Sequence, residues 1–205
     1  MTPKFLYFDL GRVLLDFDVD RMACQMGLVA GVPAEAVKQV VFSGDLHRRY
    51  ESGEISSEGF YEEFCLATGT RADRSALDEA SSDIFEVNSP MLAVVAGLRA
   101  ARYPMGLLSN TCESHWLYCR RRYRFLADLF DVFSLSYEIR AMKPHRAIFE
   151  AAAQKAGREP GEIFFVDDIP GHVEGAREAG FDAVVYQSAA QVAEELRRRG
   201  IKFNY

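Results

Sequence analysis

The sequence is poor in the features that mark membrane, secreted and nucleic-acid-binding proteins. None of its apolar runs approaches the roughly 20 residues that a membrane span requires, and its four cysteines form no Cys-x-x-Cys pair. Residues 1–4 lead directly into a strand-like segment, so no signal peptide is expected. Lysine and arginine number 24 against 30 acidic residues, and the resulting net charge of −6 disfavours a nucleic-acid-binding surface. We therefore expect a cytoplasmic protein with reduced cysteines and with neither membrane nor nucleic acid as a partner.

The length of 205 residues lies between that of one simple domain and that of two full ones. With 49% hydrophobic residues, the chain has enough apolar surface for a buried core and is far from the composition of disordered proteins. At roughly 100–200 residues per domain, one large core with a smaller additional unit fits this length. The negative charge does not exclude a small anionic substrate, because a bound metal or a few local cations reverse the potential of a pocket.

Short apolar runs that end in polar residues indicate the strands of a parallel sheet. Three of them are strong and two are weaker. The strong runs are residues 5–8, followed by Asp9, residues 104–108, followed by Ser109 and Asn110, and residues 163–166, followed by Asp167 and Asp168. The weaker runs are residues 132–135 and 183–186.

Amphipathic helices alternate with these strands in the second half of the chain. Gly157 and Gly180 stand where C-terminal helix caps are expected. The alternation predicts an α/β fold, a doubly wound parallel sheet with helices on both faces. Apolar residues at spacings of three and four predict its helices over residues 91–102, 114–123, 146–156, 172–179 and 189–199.

Residues 16–88 interrupt this alternation. The same spacing predicts helices over residues 21–30, 34–42, 57–67 and 76–85, and nothing in this part of the chain predicts a strand. A small helical unit inserted after the first strand is the simplest organisation. We therefore expect an α/β core formed by residues 1–15 and 89–205, with residues 16–88 as a helical insert.

The polar residues that follow the strands carry the chemistry. Ligands of an open parallel sheet bind outside the carboxyl ends of its strands, so these side chains are expected to converge there. Carboxylate oxygens suit Mg²⁺, which keeps several waters and shares substrate phosphate. A carboxylate can also attack phosphorus as a nucleophile, while a metal, a lysine and a hydroxyl offset the developing charge. The candidates are Asp9, Ser109, Asn110, Lys143, Asp167 and Asp168.

Four segments of the chain, in this order, resemble the signature motifs of the haloacid dehalogenase-like (HAD) hydrolase superfamily. Residues 16–88 stand where the helical-cap (C1) class of that superfamily carries its cap domain, so the resemblance covers essentially the whole chain. It is strongest to bacterial sugar-phosphate phosphatases whose first motif is of the Asp-Leu-Gly-Asn-Val type. The segments are Phe8-Asp9-Leu10-Gly11, Leu107-Leu108-Ser109-Asn110-Thr111, Met142-Lys143-Pro144 and Phe164-Phe165-Val166-Asp167-Asp168.

The resemblance implies a Mg²⁺-dependent phosphatase that hydrolyses a small phosphorylated metabolite, such as a sugar phosphate, through an aspartyl-phosphate intermediate. It implies a Rossmann-like core with an inserted cap. For Asp167, an ion pair with Lys143 remains an alternative to metal ligation. The implied roles are Asp9 as nucleophile and metal ligand, Ser109 and Asn110 as contacts of the phosphoryl oxygens, Lys143 as a phosphate-binding residue that steadies the nucleophile, and the Gly11 carbonyl, Asp168 and Asp167 as metal ligands.

The chain departs from the common superfamily pattern at Gly11. A second aspartate usually stands there and transfers the proton to the leaving group. Glycine has no side chain for this step, and the loss of a general acid or base typically costs about 10²–10⁴-fold in rate. We expect slow turnover unless the substrate, a water or a residue of the cap supplies the proton.

Further candidates lie around this pattern. Arg12 is a candidate cation beside the phosphate site. His172 is a candidate proton shuttle, and the alternative is a position on the surface or behind the residues that contact the substrate. His47, Arg48, Arg49 and Tyr50 lie in the cap, where one or two of them are expected to contact the leaving group. Pattern alone does not separate a substrate contact from a solvated helix face at these four positions.

Two other functions remain open at the level of sequence. The same Asp9 can attack the carbon–halogen bond of a 2-haloacid, a reaction that requires no metal and no acid at the Gly11 position. A protein that keeps the phosphate site without turnover is the second alternative. The pair Asp167 and Asp168 favours the metal-dependent phosphatase over the dehalogenase.

Overall fold

The computed structural model of the chain describes residues 2–205. The strands are β1 Phe5–Phe8, β2 Leu15–Phe17, β3 Phe85–Val87, β4 Met105–Ser109, β5 Val132–Leu135, β6 Ile163–Asp167 and β7 Asp182–Val185. The helices are α1 Val19–Ala30, α2 Ala34–Phe42, α3 Leu46–Glu51, α4 Ser57–Thr68, α5 Arg74–Ser82, α6 Ser89–Ala100, α7 Glu113–Arg122, α8 Phe125–Leu129, α9 Ser136–Ile139, α10 Arg146–Ala156, α11 Pro170–Glu178 and α12 Ala189–Arg198. A 3₁₀ turn over Pro160–Glu162 precedes β6.

Five strands form a parallel sheet in the order β5-β4-β1-β6-β7. Every residue of β1, β4 and β6 is buried, as expected for strands that are covered by helices on both faces. Two apolar clusters, one on each face, pack the flanking helices against this sheet. The α/β prediction is confirmed, and the strand bounds differ from the predicted ones by no more than one residue at either end.

Because β1 lies at the centre of the sheet, its end meets the ends of β4 and β6. Phe8 is in register with Leu107 of β4 and with Val166 of β6. The residue after β1 and the last residues of its two neighbours therefore lie at one edge, where polar side chains from three separate parts of the chain converge.

The five helices α1–α5 have an apolar cluster of their own. Met26, Val37 and Phe64 are fully buried in it. Gly31, in the left-handed region at φ 71°, ends α1, and the side chain of Asp18 begins it by accepting a bond from the Arg21 N–H. The insert therefore has a packed interior, which Cys112 of the core joins and which Phe85 connects to one of the clusters on the sheet.

The expectation that residues 16–88 contain no strand is wrong. Leu15–Phe17 pairs antiparallel with Phe85–Val87, and this two-stranded ribbon joins the insert to the sheet. The helix predicted over residues 76–85 ends at Ser82 instead. Each strand has three residues, which is too short for alternation to show, and its partner lies about 70 positions away along the chain.

Sequence periodicity also missed three short helices, α3, α8 and α9. They have four to six residues, so none presents the repeated apolar spacing on which the helix predictions rest. Of the three, α3 is the one that matters for function, because it carries His47 and Glu51. Within residues 2–205, no helix combines the length and apolar character needed to cross a membrane.

Candidate active site

The candidate active site is built at the carboxyl edge of the sheet. Asp9 directly follows β1, and its backbone N–H donates to the Val166 carbonyl of β6 at 2.9 Å, so the strand pairing itself places the residue. Its side-chain Oδ1 accepts a bond from the Leu10 N–H at 2.7 Å. Ser109 ends β4 and is 2% exposed, and Asp167 ends β6 and is fully buried.

Lys143 ties these strand ends together. Its Nζ lies 3.0 Å from Oδ1 of Asp9 and 2.6 Å from Oδ2 of Asp167, and it donates to the Leu108 carbonyl at 3.0 Å. An ammonium group has three protons, and these three acceptors account for all of them. The side chain is fully buried, so it is held in one position between the two carboxylates.

Asn110 holds the backbone of Lys143. Its Nδ2 donates to the Lys143 carbonyl at 3.0 Å, and its Oδ1 accepts from the Lys143 N–H at 2.8 Å. These two bonds engage both ends of the Asn110 side chain. Its predicted contact with phosphoryl oxygens stays a prediction. The observed bonds make Asn110 a residue that positions the lysine.

The acidic residues Asp9, Asp167 and Asp168 each offer an oxygen within 4.8 Å of the others. Oδ1 of Asp167 accepts from the Ile169 N–H at 2.8 Å, and Nδ1 of His172 lies 3.1 Å from it. With Lys143 on its second oxygen, Asp167 has partners at both oxygens, whereas Asp168 is half-buried. A set of hard carboxylate oxygens fits Mg²⁺ by ligand chemistry.

Burial and the neighbouring charges together set the pKa values of these groups. Burial raises the pKa of Asp9 to about 6, against the opposing effect of Lys143. Burial also acts on Asp167, but Lys143 and His172 outweigh it and hold the pKa of Asp167 below its ordinary value. Burial would lower the pKa of Lys143, yet the two carboxylates keep it raised. Burial and the neighbouring Asp167 raise the pKa of Asp168.

The turn after Asp9 contains Gly11, where the chain departs from the superfamily pattern, and the candidate cation Arg12. A Cβ on Gly11 would meet the ring edge of Phe17 at 3.0 Å, so an ordinary side chain fits only if that ring moves. The carbonyl of Gly11 accepts a bond from the Val13 N–H at 2.7 Å and retains a second lone pair. Arg12 adopts the left-handed conformation at φ 59°, and its guanidinium lies over the Phe17 ring, 4.2 Å from the centroid.

The position of Arg12 bears on its predicted role. Its side chain is exposed and packs on an aromatic ring at the rim of the site. A contact with substrate phosphate stays a prediction, as does ligation of a metal by the Gly11 carbonyl.

A cavity of about 120 Å³ extends from the turn after β1 into the insert. It lies between the sheet edge and α1–α3, with Leu10, Gly11, Ser109, Asn110 and Thr111 at the sheet end. Most of its wall is apolar. Three ionisable side chains, His47, Glu51 and His115, interrupt that wall.

Of the four candidates on α3, the structure places only His47 in this cavity. The Tyr50 hydroxyl hydrogen-bonds with Ser57 at 2.8 Å and accepts from the Ser114 N–H at 3.1 Å, away from the cavity. The two arginines form surface ion pairs, Arg48 with Glu54 at 2.6 Å and Arg49 with Glu63 at 2.8 Å.

Sequence reasoning missed Glu51 and His115. Glu51 lies four residues after His47, a spacing that puts both on one helix face, but α3 was not predicted. His115 belongs to α7 of the core and comes near Glu51 only through the fold. No pattern in the sequence links these two positions.

Close packing holds α3 against the core. The Ser136 hydroxyl donates to the Glu51 carbonyl at 2.6 Å, and Tyr50 bridges to Ser114 as described. The chain then turns at Gly53, with φ 70°, so close to Tyr137 that a Cβ would overlap the Tyr137 carbonyl. The position therefore requires glycine, both for its conformation and for the space.

The parallel sheet carries a buried carboxylate, a buried lysine and an acidic cluster at its carboxyl edge. These features define the class of the protein as a Rossmann-like α/β enzyme. Residues 26–180 match the model of the haloacid dehalogenase-like hydrolase family. That match spans more than half of the chain, and the protein belongs to this family.

Known relatives agree with this assignment over nearly the whole chain. D-ribitol-5-phosphate phosphatase of Bacteroides thetaiotaomicron is 27% identical over 201 residues, 94% of this chain and 96% of that protein. A crystal structure of a HAD family enzyme from the same organism, in complex with magnesium and inorganic phosphate, is similar with a TM-score of 0.80 and 26% identity, covering 91% of this chain and 95% of that one. L-2-haloacid dehalogenase from Xanthobacter autotrophicus, at 21% identity and a TM-score of 0.66 over 98% of this chain and 84% of that one, is similar in fold alone.

These comparisons confirm the predicted family, the predicted fold class and the assignment as a hydrolase. The boundaries of the insert and the roles of the individual site residues stay predictions.

Proposed function

We propose that the protein is a Mg²⁺-dependent phosphatase that hydrolyses a small phosphorylated metabolite, a sugar or polyol phosphate, through an aspartyl-phosphate intermediate. The observation that carries this proposal is the buried Asp9–Lys143 pair beside the acidic cluster at the carboxyl edge of the sheet. The phosphatase activity of the Bacteroides relative and the magnesium and phosphate in the related structure support it.

In the proposed reaction, Asp9 attacks phosphorus in line and the bond to the leaving oxygen breaks. Both observed bonds to its side chain fall on Oδ1, so Oδ2 is the oxygen proposed to attack. Lys143 keeps its positive charge beside the nucleophile and offsets the charge on the equatorial phosphoryl oxygens. The Ser109 hydroxyl is proposed to donate to one of these oxygens.

The second half of the reaction regenerates the carboxylate. Water attacks the aspartyl-phosphate at phosphorus, the bond between phosphorus and the Asp9 oxygen breaks, and inorganic phosphate leaves. The leaving alkoxide of the first step needs one proton, which Gly11 cannot supply, so we expect modest turnover.

Asp9, Asp168 and the Gly11 carbonyl are the residues proposed to hold Mg²⁺. When bound there, the metal would neutralise charge on the transferring phosphoryl group. Asp167 is proposed to position Lys143 and His172, because both its oxygens already have partners.

The helices of residues 16–88 are proposed to cover the site as a cap that excludes water and selects the leaving group.

The four cysteines are unpaired, which supports a reducing compartment such as the cytoplasm as part of the proposal.

The test is phosphate release from an aryl phosphate and from a panel of sugar and polyol phosphates, with Mg²⁺ or with EDTA. We expect Mg²⁺-dependent release that Asp9→Asn abolishes. Asp16→Asn is the matched control, since Asp16 is exposed and lies outside the acidic cluster. Asp168→Asn should weaken Mg²⁺ binding measured by calorimetry, a readout that does not depend on turnover.

Other outcomes would replace the proposal. Chloride release from 2-chloropropionate in EDTA, lost in Asp9→Asn, would assign the protein as a dehalogenase. Phosphate binding without turnover of any ester would assign a binding protein.

A further inference from the structure

The three ionisable residues that line the cavity come from both halves of the molecule. His47 and Glu51 come from α3 of the insert, and His115 comes from α7 of the core. Nδ1 of His47 lies 3.6 Å from Oε2 of Glu51, and their side chains are 27% and 18% exposed. This group, the His-Glu-His cluster, has no part in the chemistry proposed at Asp9.

The hydrogen bond of His115 defines which of its nitrogens is available. Nε2 lies 3.1 Å from the backbone carbonyl of Ser81, and a carbonyl can only accept, so Nε2 carries the proton. In the neutral ring Nδ1 is then an acceptor. Burial lowers the pKa of both His47 and His115, which favours neutral rings in both.

The cluster therefore offers hydrogen-bond acceptors to a ligand. The Glu51 carboxylate and Nδ1 of His115 accept. In the neutral ring of His47, Nδ1 faces the carboxylate and carries the proton, which leaves Nε2 as a third acceptor. A hydroxyl group, which donates one hydrogen bond, is a partner for such a set.

Charge excludes an anionic group at this end of the cavity. Glu51 contributes a negative charge, and none of the described residues lining the cavity is lysine or arginine. The two arginines of α3 are paired on the surface with Glu54 and Glu63. A second phosphate or a carboxylate beside Glu51 would lie unpaired against a like charge.

The remaining wall and the volume limit the rest of the ligand. A cavity of 150 Å³ lined by apolar residues holds benzene, so about 120 Å³ has room for roughly five non-hydrogen atoms on the same scale. Carbon rather than further polar atoms suits the apolar wall, because a buried polar group without a partner costs about 1–3 kcal/mol. The apolar lining residues are Phe17, Val19, Met22, Phe42, Ile84 and Phe85.

We propose that His47, Glu51 and His115 form the subsite that binds an uncharged hydroxyl group of the leaving alcohol. The substrate class is then the monophosphate of a short alcohol whose carbon chain contacts the apolar wall and whose far end carries a hydroxyl. This inference rests on the proposed phosphatase activity and narrows it to small, singly phosphorylated hydroxyalkyl esters.

The test compares two esters of equal size, 3-hydroxypropyl phosphate and butyl phosphate, which differ by a hydroxyl in place of a methyl group. Hydrogen bonds to charged groups are worth about 1.5–3 kcal/mol, so kcat/KM should favour the hydroxylated ester by roughly ten- to hundred-fold. His47→Leu should lower kcat/KM for 3-hydroxypropyl phosphate much more than it lowers kcat/KM for butyl phosphate, and so remove most of that preference. His47→Gln, which retains hydrogen-bonding groups, should restore part of it.

Gln39→Leu on α2 is the matched control, because Gln39 is exposed and does not line the cavity. It should keep the full preference. A third ester, 2-carboxyethyl phosphate, should be hydrolysed more slowly than either of the first two because of Glu51.

The outcomes separate this inference from the function on which it rests. Equal kcat/KM for the two esters in the wild type would overturn the subsite, and so would an equal loss on both esters in His47→Leu. Hydrolysis of the aryl phosphate without preference leaves the phosphatase proposal standing. Absence of phosphate release from every ester overturns both.

Discussion

At the scale of single residues, the site depends on how completely Lys143 is surrounded. Its ammonium has two carboxylates and one carbonyl as acceptors, and no part of the side chain reaches solvent. A buried charge keeps its place only when it is paired, because desolvation costs several kcal/mol per ion. The lysine and the carboxylates of Asp9 and Asp167 are therefore interdependent, and the stability of this part of the core depends on all three.

Replacing the lysine should show that dependence directly. Lys143→Met leaves two buried carboxylates without their counter-ion, and we expect the free energy of unfolding to fall by about 3–5 kcal/mol. Chemical denaturation measures the change. Lys155→Met is the control, since that ammonium is partly exposed and its loss should cost at most about 1 kcal/mol. Equal effects of the two substitutions would contradict the coupling of Lys143 to the buried carboxylates.

Gly11 offers a second test at this scale. Gly11→Asp places a carboxyl group where the superfamily usually has its acid, at the expense of a shift of the Phe17 ring, which a new Cβ would approach to 3.0 Å. If proton transfer limits turnover, kcat should rise by about 10²–10⁴-fold, the usual contribution of general acid catalysis. Gly11→Asn has nearly the same shape without the acid and should not accelerate the reaction. A similar kcat in both variants would show that another group already supplies the proton.

At the scale of elements, the junction between insert and core is held by a few directional contacts. The ribbon of β2 and β3 pairs the two segments by which the chain enters and leaves the insert. Asn88 follows that ribbon, caps α6, and donates from Nδ2 to the Val13 carbonyl at 2.9 Å and to the Tyr186 hydroxyl at 2.8 Å. One side chain thus joins a helix start, the turn after β1 and the segment after β7.

We expect this junction to be more sensitive to substitution than an ordinary helix cap. Asn88→Ala removes the cap and two further bonds in a partly buried place, and it should lower the free energy of unfolding by about 2–4 kcal/mol. Ser188→Ala removes the exposed cap of α12 and should cost about 1 kcal/mol. Thermal unfolding of both variants gives the comparison. If Asn88→Ala lowers the free energy of unfolding no more than Ser188→Ala does, the two additional bonds of Asn88 do not contribute to stability.

At the scale of the whole molecule, the two neutral histidines of the cavity link folding to pH. Burial holds the folded pKa of His47 and of His115 below the unfolded value of about 6.5. The unfolded chain therefore binds more protons as pH falls through 6.5, and this proton binding stabilises it relative to the folded chain. The stabilising contribution of neutral burial is complete above pH 6.5 and is lost progressively below it.

The expected result is a decrease in the free energy of unfolding between pH 7 and pH 5 that is smaller in the double variant His47→Gln and His115→Gln. The difference between the two proteins is the relevant measure. Asp9, whose raised pKa acts with the opposite sign, is present in both. Denaturant unfolding at a series of pH values provides the data. Parallel pH profiles would show that the two rings are not buried in the neutral form.

The sequence by itself determined the parts of this protein that depend on neighbouring residues. Apolar runs of four or five residues that end in polar ones specify the buried strands, and caps and three-and-four spacing specify the long helices, including Arg146–Ala156 at its observed bounds. The order of Asp9, Ser109, Lys143 and Asp167 along the chain identified the family, because each residue directly follows, ends or lies close to a recognisable element. These signals are local, so the chain displays them before it folds.

Only the tertiary structure decided what distant segments do together. The β2–β3 ribbon, the short helix α3, and the meeting of His47 and Glu51 with His115 each depend on contacts between residues that are far apart in sequence or in elements too short to show a period. The same is true of the acceptors of Lys143, which come from three different strand ends. The physical basis is the pairing of β1 with β4 and β6 for the acceptors of Lys143, and the packing of the insert on the sheet edge for the cavity, whose shape no single segment encodes.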